Sequence, residues 1–283
     1  MSADSPWSDL ERPPLNAGNL RRALLRPESL WSEVELVDET GSTHVDLVER
    51  ARAGRAPHGL VRIAELQTAG RGRLDRGWSA PARSGLFFSV HLTPTAPPER
   101  WTWLPLLTGV ATASALARAA GVDTALKWPN DLLVEVAGQE RKAGGILAER
   151  VGDGSVVIGV GLNVSLTEAE LPVPTAGSLA LAGAGGTDRD PLLRAVLRSL
   201  EDWYTRWDGA GGDPAASRLQ EAYAAGCATL GRTVRAQLPG DREVTGEAVA
   251  VDGDGRLVLA TDSGVQRPLD VAEIVHLRTP TEG

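Results

Sequence analysis

Cysteine is almost missing: Cys227 is the single one in 283 residues, which excludes an intramolecular disulfide and a thiolate-rich metal centre and fits a reducing compartment. Nowhere do about 18 apolar residues run together, and the opening MSADSPWSDLERPP has no apolar core of the secretory kind. The expectation is a cytoplasmic protein with no membrane partner. Positive charge is also in deficit, with 29 Lys and Arg against 37 Asp and Glu and a formal net charge of −8. That balance argues against a general nucleic-acid binder, since a polyanion is approached by a net cation. Any anionic ligand must therefore be met by a local cluster of cations. What is present, 42% hydrophobic and 23% charged residues, suits a globular chain with one main core and a small second domain.

Hydrophobic periodicity divides the chain into three parts: an arm over 1–32, a main domain over 33–227 and a C-terminal domain over 228–283. The arm is polar, carries Pro13-Pro14 and predicts one short helix over 19–25 in an otherwise loosely held segment. In the main domain VELVDE, GLVRIAELQT, GLFFSVHL, TALKW, LLVEV, KAGGILAER and SVVIGVGLNV read as strands, and 40–54 reads as a helix capped by Ser42 or Thr43. The apolar run over 103–120 predicts a buried helix stopped by Gly121. LPVPTAGSLALAGAGGT has no periodicity and reads as a flexible connection. A helix then starts at Asp190 as N-cap with Pro191 first inside it, its Leu193, Val196, Leu200, Trp203 and Trp207 forming a core-facing stripe, and a shorter one covers 215–226. From Ala228 onward five short strands alternate with turns, DGDG among them, and predict a small barrel.

The stretch QTAGRGRLDRGW sets Arg71, Arg73 and Arg76 among Gly70, Gly72 and Gly77. Glycines permit φ > 0 and close approach of backbone N–H groups, and arginine offers a planar fork to phosphate or carboxylate. An anion cradle results, although RGR by itself serves equally well as a solvated loop. It is no P-loop, since GxxxxGK[ST] is absent. Three further clusters sit at strand ends. Lys127-Trp-Pro-Asn-Asp131 contains a good turn that accounts for Pro129 and Asn130 but leaves Lys127 and Trp128 unexplained. Lys142-Ala-Gly-Gly145 places two glycines at a strand start, where a bulge or a ligand is the usual reason. Gly159-Val-Gly-Leu-Asn-Val164 again has small residues in a strand, followed by the carboxamide of Asn163.

GRGRLDRGW, KWPND, KAGGILAE and GVGLNV, in this order, resemble the catalytic domain of the biotin protein ligases, with a likeness that runs from about 35 to 164 and continues into the C-terminal barrel. The resemblance is to the monofunctional type without an N-terminal DNA-binding domain. It implies an α+β fold of the class II aminoacyl-tRNA-synthetase-like kind, a mixed sheet with flanking helices plus an SH3-like C-terminal barrel. It implies ATP-dependent conversion of biotin to biotinyl-5′-AMP and transfer to a lysine of a biotin carboxyl carrier protein, with Mg²⁺ accompanying ATP. By resemblance Lys142 and Arg73 are catalytic. Ser42, Thr43, His44, Gln67, Gly70, Arg71, Gly72, Arg73, Lys142 and Gly145 bind biotin. Arg71, Arg73, Arg76, Trp78, Lys127, Asn130, Asp131, Lys142 and Asn163 bind ATP, with Trp78 stacked on the adenine, Asn163 on its amino group and Asp131 toward the metal. His44 departs from the family pattern, which has asparagine there; an imidazole is bulkier and partly protonated near neutral pH. His58, His91 and His276 show no metal spacing and read as packed or solvated. Two other readings share the architecture: a lipoate or octanoate ligase, and a noncatalytic biotin-binding adaptor. A biotin-sensing repressor would need a DNA-reading arm that 1–32 does not supply.

Overall fold

In the computed structural model the described residues are 12–73, 76–152, 154–238, 240, 242–261, 264–270 and 272–277. The first eleven residues of the predicted arm and the last six of the predicted C-terminal domain lie outside them. A seven-stranded mixed sheet is built from β1 (Glu33–Thr40), β2 (Leu60–Gln67), β5 (Gly85–Leu92), β6 (Ala125–Lys127), β7 (Asp131–Val136), β8 (Gln139–Val151) and β9 (Ser155–Asn163), in the order β1-β2-β5-β9-β8-β7-β6. Only β1 and β2 run parallel; every other pairing is antiparallel. The interior strand β5 reads GLFFSVHL and is buried on both sides, which is why it shows no alternation of polar and apolar residues.

The helices are α1 (Ala17–Leu24), α2 (Thr43–Arg52), α3 (Leu104–Ala120), α4 (Arg189–Gly209) and α5 (Leu219–Gly226). Ser42 takes the N-cap of α2, and Gly121 closes α3 in the left-handed conformation at φ 65°, as the stop signal predicts. The α4 stripe is core: Leu193, Val196, Leu200 and Trp207 are buried, and Trp203 is half-covered by the Arg206 guanidinium 4.1 Å from its ring.

Three local expectations are corrected. The arm is not loosely held from Arg12 onward, because Leu20 and Leu24 are buried, Arg12 pairs with Glu170, and Arg189 donates to the Pro13 carbonyl. The N-cap of α4 lies two residues earlier than Asp190: Asp188 takes it, its carboxylate accepting from the Asp190 N–H, so Pro191 falls deeper in the first turn, where a missing N–H still costs nothing. This start carries Arg189 inward onto the buried Glu65. Helix α5 begins at Leu219 and not at 215, because Asp213 accepts from the Ala215 and Ala216 N–H groups and closes a separate turn there.

The C-terminal strands β10 (Thr233–Leu238), β11 (Arg242–Val251), β12 (Leu257–Ala260), β13 (Gln266–Leu269) and β14 (Glu273–His276) form an antiparallel sheet in the order β13-β12-β11-β10-β14. Its DGDG hairpin turn is bonded to the main body by tryptophans. Trp103 Nε1 donates to the Gly253 carbonyl and Trp128 Nε1 to that of Gly255, at 2.9 and 3.0 Å. Trp128 of the KWPND run is therefore a joint between the two sheets. Cys227 is a buried free thiol.

Candidate functional site

Strand β9 carries Gly159, Gly161 and Asn163 at alternate positions, so all three face one side of the sheet and span roughly 13 Å at about 3.3 Å per residue. A cavity of about 570 Å³ lies over this line. The register continues it sideways, Ser89 beside Gly159 on β5, and Gly145 then Asp131 beside Gly161 on β8 and β7. Apolar Phe88, Trp128, Ile146, Leu147 and Val160 complete much of the lining.

Near Gly159 the polar groups are neutral and bonded to one another. Gln67 Oε1, at the end of β2, accepts the Thr43 N–H at 2.8 Å and lies 3.1 Å from Thr43 Oγ1, which in turn lies 2.9 Å from Ser89 Oγ. Ser42, Thr43 and His44 arrive together because they form the start of α2, and all three are buried. His44 Nε2 faces Glu149 of β8 at 3.4 Å. Burial is the main cause that holds the His44 pKa below its usual 6.5, against the opposing pull of Glu149 and with the Arg71 charge assisting. Burial therefore favours the neutral imidazole near pH 7 more than the sequence alone implies.

Near Gly161 the groups are charged. Between β7 and β8 the register shifts, Leu132 pairing with Gly144 and Leu133 with Lys142, so Ala143 is an extra residue in a β-bulge. In an unbroken strand Lys142 and Gly145 would face opposite sides; the bulge brings Lys142 Nζ to 3.5 Å from the position a Gly145 Cβ would take. Lys142 pairs with Asp131 at 2.6 Å. Lys127 lies across from Asp131 on β6, and burial draws its ammonium pKa down, with Asp131 opposing. Arg73, half-buried, donates to Asn130 Oδ1 at 3.3 Å, while Asn130 Nδ2 donates to the Ile146 carbonyl at 2.7 Å. Arg76 pairs with Glu273 on β14, so the C-terminal sheet supplies one wall.

The glycines at 145 and 161 are there for Trp78. A Cβ on Gly161 would fall 2.8 Å from the indole, and one on Gly145 3.3 Å from it, so the ring packs where side chains would otherwise stand. Trp78 reaches this place on β4 (Gly77–Trp78), which pairs with β3 (Gly70–Arg71). Neither Gly70 nor Gly72 adopts a positive φ, contrary to the expectation from their sequence context. Gly70 is needed for close approach instead: a Cβ would meet the Trp78 carbonyl at 2.5 Å. Gly70 is also the one predicted ligand-binding residue that falls outside the cavity lining among the described residues.

Beyond Gly161, Asn163 donates Nδ2–H to the Gly177 carbonyl at 2.9 Å, and its buried Oδ1 has no hydrogen-bond partner among the described residues. That oxygen is an acceptor waiting for an N–H. Gly177 belongs to the segment read from sequence as a flexible connection, which is instead docked. Lys142 N–H donates to the Thr175 carbonyl, Gly177 N–H to that of Lys142, and Leu179 N–H to that of Asn163. Lys142 lies beyond the last pairing of β8 with β9, Gly144 with Leu162, and this segment takes the backbone bonds that β9 no longer supplies.

Ser42, Thr43, His44, Gln67, Arg71, Gly72, Arg73, Arg76, Trp78, Lys127, Asn130, Asp131, Lys142, Gly145 and Asn163 thus share one lining. Sequence reasoning missed Ser89, Val173, Thr175, Ala176 and Glu273. Ser89 had a signal, a lone hydroxyl inside the apolar GLFFSVHL. Glu273 had none. His58, His91 and His276 lie in hydrogen bonds with Thr93, the Pro57 carbonyl and Thr229. The arrangement suits an elongated ligand with a neutral polar head near Gly159 and anionic groups near Lys142.

Residues 36–164 match the model of the biotin/lipoate A/B protein ligase family, and residues 229–277 match that of the biotin protein ligase C terminal domain. A biotin–[acetyl-CoA-carboxylase] ligase of Mycobacterium tuberculosis is 40% identical over 274 residues, 95% of this chain and 98% of the relative. The bifunctional ligase/repressor BirA of Bacillus subtilis is 32% identical over 86% of this chain and 74% of its own. The structure of the Aquifex aeolicus biotin protein ligase in complex with biotin and ATP superposes with a TM-score of 0.70 at 26% identity, covering 88% of this chain and all of that one.

Proposed function

The chain belongs to the biotin protein ligase family, and from that premise we propose that it activates biotin with ATP to biotinyl-5′-AMP and transfers the biotinyl group to a lysine of a biotin carboxyl carrier protein. The observation that carries this reading is the single cavity in which a neutral hydrogen-bonding end and a cationic end lie along one strand face, with Lys142 set between Gly145 and Asp131.

The chemical difficulty is that a carboxylate must attack a polyphosphate, two anions repelling each other. A carboxylate oxygen of biotin bonds to the α-phosphorus while the bond to the β-phosphate oxygen breaks and pyrophosphate leaves. The carrier lysine amine then attacks the acyl carbon, and AMP leaves with the electron pair of the acyl–oxygen bond. We assign Lys142 to the carboxylate and the α-phosphate at once, so that repulsion falls while attack stays in line. Arg73 assists from the loop and Arg76 faces the polyphosphate. Asn130, whose carboxamide is spent on Arg73 and the Ile146 carbonyl, acts by holding Arg73 in place. Trp78 offers a face to the adenine, and Asn163 Oδ1 accepts from its amino group. Ser42, Thr43, Gln67 and Ser89 meet the ureido ring.

Asp131 and Glu273 are the carboxylates among the described lining residues. One carboxylate on a cation-rich wall fits Mg²⁺ carried mainly by phosphates, and Asp131 would be its protein ligand. The ion would neutralise phosphate charge. We place the chemistry in 33–227, assign 228–283 to closing the nucleotide end, and locate the protein in the cytoplasm, the reducing compartment suited to Cys227. The test is incubation with ATP, Mg²⁺ and a carrier domain, in parallel with biotin and with octanoate, followed by mass spectrometry. A biotinyl adduct on one lysine is expected; its absence, with octanoyl transfer in its place, would transfer the assignment to the lipoate side of the family.

A further inference from the structure

His44 is held at its two nitrogens in unlike ways. Nε2 faces Glu149, which Arg52 of α2 also engages at 2.8 Å. An ionised carboxylate only accepts, so the neutral ring keeps its proton on Nε2 and leaves a lone pair on Nδ1. That Nδ1 is buried and has no hydrogen-bond partner among the described residues. It lies 3.0 Å from the point where a Gly159 Cβ would stand, and Ser89 Oγ lies 3.2 Å from the same point. The missing methyl is therefore a niche between a nitrogen acceptor and a hydroxyl. Gln67 Oε1 can only accept, so Thr43 Oγ1 donates to it and Ser89 donates to Thr43, which turns lone pairs of Ser89 as well toward the niche. A niche of acceptors calls for N–H donors.

We propose that His44 is a specificity-determining residue, accepting an N–H of the cyclic urea of biotin at Nδ1 and discriminating against acyl chains that have no such donor. The proposal rests on the biotin reading above and deepens it. A buried acceptor left empty weakens any complex that does not fill it, so a saturated or dithiolane-bearing acyl chain is disfavoured at this end whatever its fit elsewhere. The charged groups facing the ring are Glu149 from β8 and Arg71 from β3, with Arg52 acting through Glu149. Protonation converts Nδ1 to a donor and abolishes the interaction. Since burial holds the ring's pKa below 6.5, biotin affinity should be level near pH 7 and fall on acidification.

The experiment is calorimetric titration of the full chain and its His44→Asn and His44→Leu variants with biotin and with octanoate between pH 5 and 8. His44→Leu should weaken biotin about tenfold at pH 7.5 and narrow its advantage over octanoate. Wild-type affinity for biotin should fall toward pH 5, and that of His44→Asn, whose amide oxygen does not titrate, should not. Equal biotin affinity in His44→Leu, or the same pH profile in all three proteins, would overturn the proposal. The ¹⁵N resonance of His44 Nδ1 in the unmutated protein gives an answer independent of any variant: it should shift as biotin saturates, and an unmoved resonance would overturn the assignment. Failure of the wild type to bind biotin at any pH would instead bring down the functional reading beneath it.

Discussion

At the Gly159 end of the cavity Thr43, Gln67 and Ser89 are neutral and bonded to each other, whereas at the Gly161 end Lys142 faces Asp131, Arg73 faces Asn130 and Arg76 faces Glu273. The first set is preorganised: a ligand adds bonds to a network that already exists, at little cost in side-chain ordering. The second set pairs cations with protein groups, and in the proposed reaction an incoming phosphate or carboxylate would take those cations over. The difference follows from the reactants proposed for each end. A urea ring is recognised by geometry, while anions must be neutralised, and a net-negative chain has to keep its few site cations from being quenched or expelled.

Removing the shared cation should show the largest effect. Lys142→Ala is expected to slow adenylate formation, read by biotin-dependent exchange of pyrophosphate into ATP, on the order of 10²–10³-fold, with a much smaller change in biotin affinity. Exchange near the wild-type rate would break the contrast between the two ends. At the neutral end Gln67→Ala should weaken biotin about tenfold or somewhat more and leave ATP affinity unchanged; an equal loss for both ligands would mean that the ends are not separate. Glu273→Gln removes the charge paired with Arg76, the residue we assign to the polyphosphate. Both partners of this pair are partly solvated, so the change in KM for ATP should be about fivefold or less, with kcat little altered. No change would reduce the C-terminal sheet to a prop.

The smallest effect is on stability. His44, His58 and His276 all have pKa values lowered below 6.5, chiefly by burial. A depressed histidine pKa means that the unfolded chain binds more protons on acidification, so this contribution is complete above about pH 6.5 and is lost as pH falls through the folded-state values. The thermal midpoint should drop by a few degrees between pH 7 and 5, and His44→Asn should flatten part of that drop.

Much of the mixed sheet was readable because burial on one or both faces imposes alternation or continuous apolarity, and Gly121 ended its helix where a left-handed residue was required. The glycines of KAGG and GVGLN announced a crowded backbone but not its occupant. That the occupant is Trp78 depends on β3 and β4 carrying it across the sheet from a distant part of the chain. The segment around Thr175 to Gly177 was misread because its small residues and prolines have no period, and its partners are backbone groups of Lys142 and Asn163. Ser89 could have been noticed as the one hydroxyl in its strand; Glu273 could not.

Taken alone, the sequence determined which residues could carry charge, which stretches must be strands or helices, and that the cations would cluster in a few short motifs. These follow from local chemistry and periodicity, which each segment expresses without its neighbours. The tertiary structure decided which of those groups meet, that Lys142 turns into the cavity on a bulge, that Glu273 reaches Arg76 from the second sheet, and that His44 keeps a bare nitrogen beside Gly159. Such contacts are made between residues far apart in the chain, and their geometry exists only once the strands are in register.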